Sequence, residues 1–166
     1  MKSPEAILKD TEWIHLGHAY DAASDTPRRL LELLDSSPDV QAFALAQLDA
    51  SVLHQGSLYS ATAPTALFIA GILTDPRTDV SHVSAFPWDD RRRLLRASLI
   101  EWLGRVGDAA SHGEGDEVEP FEDADERDAV LACRAIRPQL AEAITPFLRS
   151  ADEVIGSAAA VAHSYL

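Results

Sequence analysis

The chain has 166 residues, enough for one domain with a sizeable core, and its 46% hydrophobic and 25% charged content is that of a globular protein. A formal net charge of −13 and a pI near 4.7 exclude broad, sequence-independent nucleic-acid binding, which needs a basic footprint. No stretch approaches the roughly 20 apolar residues of a membrane span, and a single cysteine, Cys133, excludes an internal disulfide.

Alanine and leucine dominate, so helix is the expected state throughout, with no strand pattern of any length. The N-terminus, MKSPEAILKDTEW, has neither an apolar core nor a small-residue cleavage site, so no signal peptide is read and a reducing cytoplasm is expected. A leading helical segment is predicted over residues 4–20, broken near Thr11 and Gly17. Helix two is predicted over 27–34 with Thr26 as its N-cap, and helix three over 38–54 with Val40, Ala44, Leu48 and Val52 on one face. A loop containing Gly56 leads to helix four over 63–73.

Helix five is predicted over 88–106, with Leu95, Leu99, Trp102 and Val106 as its core stripe. Asp89–Arg93 and Glu101–Arg105 are read as i,i+4 pairs on its wet side. Between residues 108 and 128 there are ten acids and one base, Arg127, so this segment carries −9 of the total charge. A mobile acidic loop is expected there, at about 108–125, with Glu114, Asp116, Glu117, Glu119, Glu122 and Asp123 as its carboxylates. Helix six follows over 125–137, and Pro138 starts or kinks helix seven, which ends at Leu148. Helix eight runs from Ala151 to the C-terminus behind a capping box made by Ser150 and Glu153.

A period runs through these elements. Pro27, Pro64 and Pro138 are separated by 37 and 74 residues, and each opens an apolar run ending in a similar pair, Leu33-Leu34, Ile72-Leu73 or Phe147-Leu148. Leu34 is followed by Asp35-Ser36-Ser37-Pro38-Asp39 and Val40, and Leu148 by Arg149-Ser150-Ala151-Asp152-Glu153 and Val154. The two valines lie 114 residues apart, three times 38. Paired helices at a period near 38 predict an all-α, right-handed α-solenoid of about three helix pairs, in one domain over 1–166.

Residues 12–68 carry further text: Trp13, His18-Ala19-Tyr20, Asp25 with Pro27, Ser37-Pro38-Asp39, then His54-Gln55-Gly56 with Tyr59, Ala61 and Thr62. This pattern resembles that of HEAT-like repeat proteins of actinobacteria, which share HAYG, D-x-P and HQG-x-x-Y-x-AT. The likeness weakens after Phe68 and returns over residues 133–162, and Asp21 stands where the family has glycine. The resemblance implies a HEAT-like solenoid in a bacterial protein and transfers no catalytic residue.

Candidate sites follow from the residues. His54, Gln55 and Tyr59 are read either as a polar ligand pocket or as a structural corner, in which Gly56 ends helix three in the left-handed conformation, Thr62 caps helix four and the Tyr59 hydroxyl ties the loop. Arg92, Arg93 and Arg96, beside Arg91, form a basic run on helix five that could grip a carboxylate or phosphate; a salt-bridged, solvated face is the plainer reading. His15 and His18 sit i,i+3 with no third ligand, so no metal site is expected. No histidine is followed by Glu, which sets aside the iron chemistry of HEAT-like hydroxylases, and no cofactor is called for. Cys133 is read as core. The expected function is protein binding through a concave face and the acidic loop, as an adaptor or an inhibitor or immunity-like module, with another protein, of basic character, as partner. The alternative is a small-molecule binder or enzyme using the 54–62 corner with the helix-five arginines. No membrane contact is expected.

Overall fold

The computed structural model of the protein describes residues 1–83, 91–112 and 124–166. The acidic-loop residues Glu114, Asp116, Glu117, Glu119, Glu122 and Asp123, the pair partner Asp89 and the expected start of helix five at Trp88 lie outside the described residues.

Seven helices hold most of the described chain: α1 (Pro4–Asp10), α2 (Thr26–Glu32), α3 (Pro38–Val52), α4 (Thr62–Ile72), α5 (Leu95–Ser111), α6 (Ala124–Ile144) and α7 (Glu153–His163). The predominance of helix follows the composition. Strand is present nonetheless, against expectation. β1 (Gly17–His18) pairs antiparallel with β2 (Asp21–Ala22), and β3 (Ser81–Val83) with β4 (Arg92–Leu94). Strands of two or three residues are too short to write an alternating pattern into a sequence. The leading segment is correspondingly not helical to Tyr20: α1 ends at Asp10, Trp13–His15 form a 3-10 turn, and the chain then enters β1. Among the described residues, helix five begins at Leu95, because Arg92–Leu94 are drawn into the ladder with Ser81–Val83.

The predicted core faces are observed. Ala44, Leu48 and Val52 of α3 are buried, as are Leu95, Leu99, Trp102 and Val106 of α5, while Val40, in the first turn of α3, is only half-buried. One hydrophobic cluster runs from Ile7 to Ala162. α5 is at its centre, packed against α3, α4, α6 and α7, while α1 lies on α4, α2 on α3, and α4 on α6. These contacts make a mainly helical fold carrying two small hairpins.

The three prolines do not occupy one structural position. Pro27 and Pro64 fall in the first turns of α2 and α4, but Pro138 lies inside α6, which continues unbroken from Ala124 to Ile144. The separate helices six and seven of the sequence reading are therefore one helix followed by a 3-10 turn over Thr145–Arg149. Proline removes one hydrogen bond from a helix interior; burial of Cys133, Ile136, Leu140 and Ile144 on one face offsets that loss.

Two expected caps are relocated. Asp25, not Thr26, stands at the N-cap of α2, and Thr26 is its first helical residue with a buried hydroxyl. At α7 the Asp152 carboxylate accepts the N–H groups of Val154 and Ile155 at 2.9 and 3.1 Å, and the Ser150 hydroxyl accepts from Asp152 one step earlier at 3.2 Å. A carboxylate can take both orphan donors, so it displaces the predicted serine–glutamate exchange.

Candidate functional site

The segments that carry the family-like text meet in space. Gly17 and Ala22 pair, as do His18 and Asp21, so His18-Ala19-Tyr20-Asp21 is a tight hairpin with Ala19 and Tyr20 at its tip. Three bonds fix it to the 51–61 region. Gly17 N–H donates to the Ser60 hydroxyl at 2.8 Å, Ala61 N–H donates to Gly17 O at 3.2 Å, and Ala19 N–H donates to Ser51 O at 2.9 Å. His15 and His18 are thus on a 3-10 turn and a strand, not on one helix.

The His18 ring is nearly enclosed, its side chain 7% exposed, and its tautomer is set by its partners. Tyr20 N–H donates to Nδ1 at 3.2 Å, so the proton is on Nε2, which donates to Asp25 at 3.0 Å. His54 Nδ1–H donates to Ala50 O at 2.8 Å, and its ring meets the edge of the Tyr20 ring, centroids 5.7 Å apart. Each group here is held by backbone and neighbouring turns. Among the described residues no group of three or more His, Cys, Asp or Glu is placed to hold a metal.

The corner itself is built by Thr62. Its hydroxyl donates to Val52 O at 2.7 Å and accepts Tyr59 N–H at 2.9 Å, joining the end of α3 to the start of α4. Thr62 is consequently the first residue of α4 and not its N-cap, which is Ala61, and the tie at Tyr59 runs through its backbone N–H. Gly56 is left-handed, φ 84°, as predicted, but it does not end helix three: α3 stops at Val52, and Gln55, also left-handed at φ 53°, and Gly56 belong to a 3-10 turn over His54–Gly56.

The three corner candidates do not converge. Gln55 lines a cleft of about 390 Å³ with Arg105, Asp108 and His112. Tyr59 lines another, of about 690 Å³, facing Asp125, Glu126 and Asp128 of α6. His54 faces Tyr20.

The arginine run is dispersed as well. Arg92 is exposed on β4, and Arg93, also on β4, lies 3.6 Å from Glu101. Arg105 reaches Asp49 at 2.6 Å, so the predicted Glu101–Arg105 pairing is replaced by two longer-range ones. Arg96 is an internal staple. Its Nε donates to Leu73 O at 2.8 Å and to the Thr78 hydroxyl at 3.2 Å, its Nη2 to Asp75 O at 3.3 Å, and its guanidinium lies over the Phe147 ring. It closes the C-terminal end of α4, where last-turn carbonyls lack helical donors. Beside it the Arg77 side chain and N–H hold the Asp75 carboxyl down to about 2. Arg134 and Arg137 do the same for α5, donating to the carbonyls of Ala110, His112 and Gly107. Cys133 is core, as expected, and burial pushes its thiol up to about 12.

A feature the sequence reading missed lies on the other side of α5. α7 presses onto α5 so closely that a Cβ at Gly104 would stand 2.8 Å from the Ala162 backbone, and one at Gly107 2.8 Å from Tyr165 O. Beside this contact runs a groove of about 760 Å³. Gly104, Ala158 and Ala162 line it, with Val154, Val161 and Tyr165 also in it and Glu101, Asp108 and Glu153 supplying carboxylates. Val154 is 56% exposed, Val161 60% and Tyr165 41%. Val154 and Val161 stand i, i+7 on one face of α7, and Tyr165 follows in the turn beyond its C-terminus, lining the same groove. That spacing was available in the sequence, as were the two glycines three residues apart on α5.

No family model, curated protein or solved structure matches the chain. Among the described residues no helix is long and apolar enough to cross a membrane.

Proposed function

We propose that the chain is a protein-binding helical module whose docking face is the α5–α7 groove. The observation that carries this reading is the stripe Val154, Val161 and Tyr165, exposed beside small residues and edged by carboxylates. Large apolar side chains gathered along a surface helix and the turn after it leave area that a partner can cover. A short HEAT-like α-solenoid is the architecture proposed with it, on the sequence resemblance and the spacing of Pro27 and Pro64 in the first turns of α2 and α4; in such a stack each pair's apolar face is covered by the next element or by a partner. Membership of the HEAT-like family rests on the hairpin-and-corner residues, whose mutual bonds give the shared text a structural reason. The cytoplasm, where a lone thiol stays reduced, is the compartment that fits. The acidic segment 108–128 would add long-range attraction for a basic partner.

A small-molecule or catalytic reading has less support, because His54, Gln55 and Tyr59 face three different surroundings and Arg96 is committed to α4.

The test places a photo-crosslinking residue at Val161 or, as a control, at Leu31 on α2, which is also exposed. In extract of the native cell, a discrete adduct from position 161 and not from position 31 is expected. Identical adducts from both positions, or none from 161, would overturn the groove as the docking face.

A further inference from the structure

We infer that the occupant of the α5–α7 groove is an amphipathic helix with a cationic flank, contributed by a different protein; the inference rests on the docking reading above. Three properties of the groove lead there.

The first is backbone satisfaction. The groove walls are two α-helices, α5 over Leu95–Ser111 and α7 over Glu153–His163, whose backbone N–H and C=O groups are bonded within each helix. They offer an incoming chain no ladder of backbone partners. An extended segment would lay its own N–H and C=O groups against apolar side chains without partners, at a cost for each. A helix brings its backbone bonds with it and presents only side chains.

The second is shape. Gly104, Ala158 and Ala162 are closed against one another and form a low floor, so an inserted Leu or Met side chain can lie on it between the flanking Val154, Val161 and Tyr165. α7 has 11 residues, about 16 Å at 1.5 Å per residue, so the groove matches about three turns of a helix lying along it.

The third is charge. Glu101, Asp108 and Glu153 line the groove against one cation, Arg105, which is engaged with Asp49 at 2.6 Å. Glu101 is shared with Arg93 at 3.6 Å, which leaves Asp108 and Glu153 as the stronger attractors. Lys or Arg flanking the apolar face of the incoming helix would complement them. The same charges disfavour a second copy of this chain, since two like rims would be apposed on two molecules each carrying −13.

The experiment uses the full chain and three labelled peptides of equal length: an amphipathic Leu/Lys helix, the same pattern with Glu for Lys, and a scrambled Leu/Lys sequence lacking the stripe. Binding is read by fluorescence anisotropy. The amphipathic Leu/Lys peptide should bind at least about tenfold more tightly than either of the others. Val161→Asp should weaken it by a similar factor, on the order of tenfold, even though the substitution adds negative charge. Leu31→Asp should leave it unchanged. Both sites are exposed, and circular dichroism verifies that each variant is folded.

Equal binding of the scrambled peptide, or indifference to Val161→Asp, would mean that charge alone attracts the peptide, and overturns the inference. Tighter binding of the Leu/Glu helix, sensitive to Val161→Asp, overturns the cationic occupant while leaving the docking face standing. A concentration-dependent dimer in sedimentation that Val161→Asp abolishes assigns the groove to a second copy and also overturns it. Absence of binding by every peptide overturns the inference, and the crosslinking result then decides the docking face separately.

Discussion

At the scale of single residues, the sequence identified chemistry but not its use. Arg92, Arg93 and Arg96 look alike in a basic run, yet Arg96 is enclosed, 13% exposed, and serves the carbonyls that end α4, while Arg92 is in solvent. Arg96→Met keeps much of the apolar stem and removes the donors, leaving Leu73 O without its charged partner. The loss should be about 1.5–3 kcal/mol, the range for hydrogen bonds to charged groups, because Leu73 O keeps the Thr78 hydroxyl as a donor at 3.3 Å. Arg92→Met should stay within about 0.5 kcal/mol. Urea midpoints of the two variants check this; equal values would refute the staple. The reason the sequence could not separate them is that Arg96's partners, Leu73, Asp75 and Thr78, lie on the preceding helix end and turn. Tyr59 teaches the same thing in reverse. Its conspicuous hydroxyl drew the structural role, but the corner is tied by its backbone N–H and the hydroxyl of Thr62, which any residue at 59 except proline would permit.

At the scale of elements, what was legible was what repeats. The apolar faces of α3 and α5 were readable because burial on one side of a helix imposes a spacing near 3.6 residues. The two hairpins left no such trace, since a ladder of two or three pairs is specified by backbone bonds and not by pattern. The α5–α7 contact occupies a middle position: its glycines are visible, but only the packing says which of them is needed. Glycine in a helix interior ordinarily costs about 0.5–1 kcal/mol relative to alanine. Gly156 of α7 has 3.7 Å to its nearest obstacle, Ser150 O, so Gly156→Ala should stabilise by about that amount. Gly104→Ala should do the opposite. The added methyl would meet Ala162 Cα at 2.8 Å, and backbone cannot rotate away as a flexible side chain can. The helices must separate, for a net loss of about 1–3 kcal/mol. Opposite signs in thermal melts of the two variants are the expected outcome. A stabilised Gly104→Ala would mean that α7 is not seated on α5 as described, and the floor of the groove would have to be redrawn.

At the scale of the whole molecule, charge sets folding and docking against each other. A chain at −13 repels itself when compact, and salt relieves that repulsion by shortening the Debye length from about 10 Å at 0.1 M. Salt also weakens the surface ion pairs, among them Lys2–Asp10, Arg28–Glu32 and Arg127–Asp128, but exposed pairs contribute only about 0–1 kcal/mol each and often nothing. The half-buried arginine staples on α4 and α5 are screened less than these exposed pairs. Net repulsion should therefore dominate the response. Raising sodium chloride from about 0.02 to about 0.5 M should lift the melting temperature by roughly 2–4 °C, the equivalent of about 1 kcal/mol for a chain of this size. Over the same range, affinity for a cationic amphipathic helix should fall, because there the charges are opposite. Calorimetry and anisotropy on one set of salt titrations read both slopes. A melting temperature that falls with salt would show that the ion pairs outweigh the self-repulsion, and that the excess of carboxylates is built into the fold. Opposed slopes would identify the excess as charge the fold does without and a basic partner can use.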